Sequence, residues 1–141
     1  MRTSKINYFI VGLFVITDAL AGLTVVGEAV ASLQAAGGDP TRLSVLAPLT
    51  LVASNTIGNV PAVVLVLALR PDLPEVTLQA LALLSTLAGN LLLVGSLANL
   101  IVAERAAGVG VRLSFLDHAR CGVPMTLLSM AMAIAWLRLV A

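Results

Sequence analysis

Two short stretches of the chain concentrate neutral oxygens and amides inside otherwise apolar sequence. The first, Ser54-Asn55-Thr56-Ile57-Gly58-Asn59-Val60-Pro61, places Ser54, Asn55, Thr56 and Asn59 within six positions. Uncharged oxygens of this kind suit sodium, and Pro61 lies where a helix can restart, because the first turn leaves its N–H groups without partners. The second stretch holds Gly89, Asn90, Gly95, Ser96 and Asn99. There glycines let backbone approach a partner closely and the asparagines add donors and acceptors. Together these residues predict a substrate and cation site made of Ser54, Asn55, Thr56, Asn59, Asn90, Gly95, Ser96 and Asn99, with sodium at Ser54, Asn55, Asn90 and Asn99. The competing reading is structural, because such side chains also cap helix ends and hold membrane helices together.

Other reactive groups are sparse. Asp18 falls near the middle of a long apolar run, where a charge costs roughly 2.5 to 3.5 kcal/mol on insertion scales. It is a candidate for proton coupling; pairing with an Arg, or sitting neutral against a carbonyl, accounts for it equally. Glu28 is nearer the end of that run and can snorkel into water. Asp117, His118 and Arg120 are clustered, but no Ser or Cys nucleophile stands at a recognisable spacing from the His, so a solvated loop is expected and an enzyme is not. Cys121 has no disulfide partner and no metal-ligand companions at zinc-site spacing, which predicts a small buried hydrophobe. No cofactor is expected beyond a coupling sodium or proton.

The elements that must position these groups belong in lipid. Hydrophobic residues make up 60% of the chain and charged residues 11%, against about a quarter charged in soluble domains. The apolar runs exceed those of soluble core helices. A net charge of +1 and 4% aromatic residues leave nucleic acid neither counter-charge nor stacking platform. Arg2 and Lys5 before an apolar run imitate a secretory signal, yet the run from Ile6 to Leu33 is too long for one and predicts a retained first span over 6–33.

A turn-rich segment over 34–42 follows. Next come an apolar arm from Leu43 to Ala53, the polar tip over 54–61 and a second arm from Ala62 to Leu69. Neither arm crosses a hydrocarbon core about 30 Å thick, so 43–69 reads as a re-entrant hairpin, closed in water by Arg70-Pro71-Asp72-Leu73-Pro74-Glu75. A helix over 78–103, discontinuous at Gly89-Asn90 and Gly95-Ser96, is expected next. A polar loop over 104–120 and a last span over 121–138 complete the pattern, with Trp136 as an interfacial anchor. The hairpin puts Arg2, Lys5, Arg105, Arg112 and Arg120 on one side and Arg42, Arg70 and Arg138 on the other, which favours a cytoplasmic N-terminus. The expected class is an all-α membrane protein, with transmembrane helices, one re-entrant helical hairpin and one discontinuous helix.

In the stretches 54–63 and 87–104 the chain resembles the ion transporter superfamily, which includes citrate-transporter-like permeases, divalent anion:sodium symporters, arsenite effluxers and sodium/proton antiporters. The likeness extends over nearly the whole chain, including Gly12-Leu13-Phe14-Val15 and Gly122-Val123-Pro124. It implies that Ser54, Asn55, Thr56 and Asn59 form a hairpin tip, and that Asn90, Gly95, Ser96 and Asn99 form the matching unwound segment around sodium and substrate. The chain departs from the family pattern at Gly58, usually Ser, and Leu92, often Thr; both changes remove an oxygen. Full members are roughly three times this long, with two inverted repeats, and no second Ser-Asn hairpin occurs here.

The resemblance therefore implies the C-terminal part of a citrate-transporter-like permease over 1–141. The implied function is transport of small carboxylates or oxyanions with sodium or proton coupling, in the cell's inner (plasma) membrane as a multi-pass protein. The expected partners are the bilayer, a small anion and the missing N-terminal half or a complementary subunit, in a homo-oligomer when complete. The alternative is a non-transporting membrane subunit or remnant whose polar residues only pack helices.

Overall fold

Gly58 divides the first well-defined part of the chain. Its φ of 94° and ψ of 152° suit a residue without a Cβ, and it separates α1 (Leu43–Ile57) from α2 (Asn59–Leu69). The computed structural model describes residues 37–140 continuously and, before them, residues 8, 11–12, 15–19, 22–24, 28, 31–32 and 35. The span predicted over 6–33 lies largely outside the described residues, as do Arg2 and Lys5. Among the described residues every regular element is helical.

The break between α1 and α2 is one residue wide, narrower than the polar tip predicted over 54–61. Ser54, Asn55 and Thr56 remain inside α1. Asn55 Nδ2 bonds back to Leu51 O and Thr56 Oγ1 to Val52 O, both at 2.8 Å, while Ser54 Oγ donates across to Ser85 O of the next helix but one at 3.3 Å. Asn59 opens α2, and Pro61 occupies its third position, where no N–H partner is needed. The Ala62 N–H closes the first bond on Gly58 O at 3.0 Å.

After the Arg70–Pro74 turn, where Arg70 Nε meets Asp72 Oδ1 at 3.4 Å, α3 (Glu75–Ala88) begins with its Glu in the dipole-favoured first turn. Residues 89–96 leave the α-helix, with a 3-10 turn over Leu93–Gly95, before α4 (Leu97–Ala107). The helical parts thus start earlier and end later than the predicted 78–103, and Asn99 lies within α4.

The polar loop is a correction. Expected over 104–120, it is confined to 108–114, because Ser114 caps α5 (Phe115–Val140): its Oγ accepts the Asp117 N–H at 3.1 Å and donates to Asp117 Oδ2 at 2.5 Å. Asp117, His118 and Arg120 are therefore helical, with Arg120 3.7 Å from Asp117. Cys121 is exposed rather than buried, since it points away from the face that α5 packs inward.

The core lies between α1, α3 and α5, where Leu46, Ala47, Ala80, Leu81, Leu84, Ala88, Met130 and Ala133 are buried, with Leu73 from the turn beside them. The outer faces carry Val52, Leu127, Leu128, Met132, Trp136 and Leu139 exposed, a surface that suits hydrocarbon better than water. Phe115–Leu139 is long and apolar enough to cross a membrane; α1, α2 and α3 are apolar but shorter.

Candidate binding site at two helix breaks

The end of α3 determines the arrangement. The last four carbonyls of a helix have no intrahelical partner, and burying them unpaired is costly. Here the N–H groups of Gly89, Asn90 and Leu91 turn back onto Ser85 O, Leu87 O and Ala88 O at 3.0, 3.2 and 3.1 Å. Side chains from three other helices add further donors to the carbonyls running from that end into the break. Ser54 Oγ donates to Ser85 O at 3.3 Å, Thr126 Oγ1 to Leu87 O at 3.5 Å and Asn55 Nδ2 to Ala88 O at 2.8 Å. Beyond the helix, Asn99 Nδ2 donates to Gly89 O and His118 Nε2 meets Asn90 O, each at 3.1 Å.

Asn55 does most to join the two breaks. Its two N–H bonds go to Leu51 O and Ala88 O, and its Oδ1 accepts the Leu92 N–H at 3.0 Å. One side chain of α1 thereby fixes both a helix end and the backbone beyond it. Ser96 caps α4 by accepting the Ala98 N–H at 3.2 Å.

Close approach explains three glycines. A Cβ on Gly95 would lie 2.5 Å from Asn55 Oδ1 and 2.7 Å from Gly89 O. One on Gly89 would meet Gly95 O at 3.0 Å and Asn59 Cβ at 3.2 Å, so the start of α2 also touches the break. One on Gly122 would lie 2.6 Å from Asn90 O and 2.9 Å from Leu91 O.

The predicted residues thus divide into two groups. Ser54, Asn55, Ser96 and Asn99 are bonded to backbone at the break, and Gly95 is packed within it. Thr56 is exposed and bonded within α1. The side-chain amides of Asn59 and Asn90 are partly buried and make no hydrogen bond among the described residues. Asp18 is exposed, and its carboxylate makes no bond to the break among the described residues.

Sequence reasoning missed His118, Gly122 and Thr126. They are spaced i, i+4, i+8, one stripe of α5, and all three meet the α3 end or the segment after it. The signal was present: Ser114-Phe-Leu-Asp117 before an apolar run marks a helix start and puts His118 on that helix.

The surroundings are uncharged, with no Asp, Glu, Lys or Arg over 43–69 or 76–103. The carboxyl of Asp39, held below the usual carboxylate range by the N–H and side chain of Thr41, belongs to the loop before α1. A depression lined by Gly37, Gly38, Asp39, Pro40 and Arg70 shares no residue with the break.

Known proteins bear on this geometry. The chain is 47% identical to a Dictyostelium discoideum protein named "Putative transporter arsB", over 64% of this chain and 17% of that protein. It is 32% identical to a 46 kDa membrane protein of Mycobacterium leprae, over 92% of this chain and 33% of the relative. Identity is 38% to the silicon efflux transporter LSI3 of rice, over 67% and 22% respectively. The chain thus spans about a sixth to a third of the length of these relatives. No family model and no solved structure matches it. By these likenesses the chain is a membrane protein and a part-length relative of the transporters of the ion transporter superfamily.

Proposed function

We propose that the chain supplies one half of a midplane binding site in an ion-coupled secondary transporter of small anions, either carboxylates or oxyanions. The observation that carries this reading is the junction of the two breaks. Asn55 ties the hairpin to the segment 89–96, Asn59 packs on Gly89, and the amides of Asn59 and Asn90 remain unpartnered among the described residues. In lipid, irregular backbone persists only against protein or a hydrated cavity. At roughly 22 Å and 17 Å, α1 and α2 are too short to cross, so we read them as a re-entrant hairpin, and α3 and α4 as two halves of one discontinuous helix.

An anion suits the junction because the starts of α2 and α4 carry positive dipole ends, while the carbonyls of Ala88, Gly89 and Asn90 already accept side-chain hydrogen bonds. A coupling sodium would use oxygen lone pairs left over at Ser54, Asn55, Asn90 and Asn99; a coupling proton would use Asp18. In this reading the complementary half comes from the rest of a longer permease or from another subunit, in a homo-oligomer of the plasma membrane with the N-terminus cytoplasmic.

Uptake of radiolabelled sulfate and succinate into liposomes carrying the complete transporter, with and without a sodium gradient, tests the reading. Ion-dependent uptake that falls about tenfold in Asn59→Ala and Asn90→Ala supports it. Undiminished uptake in both variants ends the site assignment.

The engagement of Asn55 and Asn99 with backbone favours a second reading, a membrane subunit that does not transport and whose polar side chains only pack helices. Under it, no assembly containing the chain moves either anion.

A further inference from the structure

His118 stands at the break, but none of the roles above uses it. It lies in the first turns of α5, partly buried, with Nε2 3.1 Å from the backbone carbonyl of Asn90. A carbonyl only accepts, so Nε2 carries the hydrogen of this bond. No other donor reaches that carbonyl among the described residues. Below it, Gly122 brings α5 so close that even a methyl group would collide with Asn90 O. The Asn90 peptide is thus held on its carbonyl side by the imidazole, and on its N–H side by the Leu91 bond to Ala88 O at 3.1 Å. The residue so fixed has an unpartnered side-chain amide.

We propose that His118 is a positioning residue for the cargo: its Nε2–H holds the Asn90 peptide so that the Asn90 amide is presented at the junction with Asn59. The proposal rests on the transport reading above. A residue that acts through Asn90 makes three predictions that a general contributor to stability does not. Removing the donor weakens cargo binding, a substitute donor at the same reach restores it, and the effect disappears once the Asn90 amide is gone.

The test is sulfate and succinate uptake by the complete transporter in liposomes, with half-saturation and maximal rate measured separately. His118→Leu is expected to raise the half-saturation concentration about fivefold to tenfold, the worth of one hydrogen bond. His118→Gln, whose side-chain amide nitrogen reaches about as far as Nε2, should stay within about twofold of the unaltered protein. In an Asn90→Ala background, His118→Leu should add no further rise. If His118→Leu does not fold, His118→Asn, whose amide falls short, replaces it in the same contrast. Uptake with an unchanged half-saturation in the donor-less variant, or a full additional loss in the Asn90→Ala background, overturns the role of His118 alone. Absence of uptake of both anions by the unaltered transporter overturns the transport reading and this role with it.

Discussion

The side-chain oxygen of Asn55 accepts the backbone N–H of Leu92 at 3.0 Å, across 37 residues of sequence, while its amide nitrogen holds the Ala88 carbonyl at 2.8 Å. Replacing Asn55 by Leu strands the Leu92 N–H in an apolar setting, while Ala88 O keeps the Leu91 N–H at 3.1 Å. An orphaned buried group costs about 1 to 3 kcal/mol, so Asn55→Leu should destabilise by about that much. Thermal unfolding in detergent should show a clear loss, and so should Asn55→Asp, which keeps the acceptor but turns a carboxylate oxygen against the Leu51 and Ala88 carbonyls.

Asn59 and Asn90 should behave in the opposite way. Their amides have no partner to lose among the described residues, so alanine at either position should shift stability by no more than about 0.5 kcal/mol. A large fall in melting temperature in either variant would mean that these amides hold the fold together.

Gly122→Ala puts a methyl group 2.6 Å from Asn90 O and 2.9 Å from Leu91 O, and Gly95→Ala puts one 2.5 Å from Asn55 Oδ1. The Gly95 methyl would also lie 2.7 Å from the backbone oxygen of Gly89; backbone cannot yield as a flexible side-chain tip does, and overpacking of this kind costs about 1 to 3 kcal/mol or more. Gly12→Ala, with nothing within 4 Å of its added methyl among the described residues, is the control expected to unfold at or slightly above the unaltered temperature, since alanine is the better helix former.

Ser114→Ala removes the cap that starts α5. The cost should be about 1 kcal/mol, and amide hydrogen exchange should speed up in residues 115–118 before the rest of the helix. Equal protection in variant and parent would show that the cap is idle.

Asp39 links stability to pH. Its folded carboxyl is depressed by the Thr41 hydrogen bonds, so its contribution is fully present above the unfolded value, near 3.9, and is lost as pH falls through the lower folded value. Asp39→Asn should melt below the parent at pH 7, and the gap should close on acidification toward pH 3. A gap that does not narrow refutes the linkage.

Apolar run lengths made the helices legible, because burial and lipid act on composition over many residues. The breaks were legible from Gly58, Gly89, Asn90, Gly95 and Ser96, where glycine freedom and capping chemistry are local. The width of the hairpin tip was not. Whether Ser54, Asn55 and Thr56 stay helical depends on where their side chains find carbonyls: Leu51 and Val52 supplied them for Asn55 and Thr56 from the same helix, and Ser85 for Ser54 from another. The place of His118 was missed because charge and glycine around it looked like loop, while a single Ser114 hydroxyl starts a helix and turns the imidazole inward. The pairing of Asn55 with Leu92 is a tertiary fact that nothing in the local pattern contains.

A connection of one residue at Gly58 has no slack. Inserting one more helical residue at the start of α2 would rotate the rest of that helix by about 100° and advance it by about 1.5 Å relative to Gly58, turning a different edge of α2 toward the break. The phase of one helix against its neighbour is therefore set by the shortness of this connection, and variation in chain length here should be far less tolerable than variation in residue type.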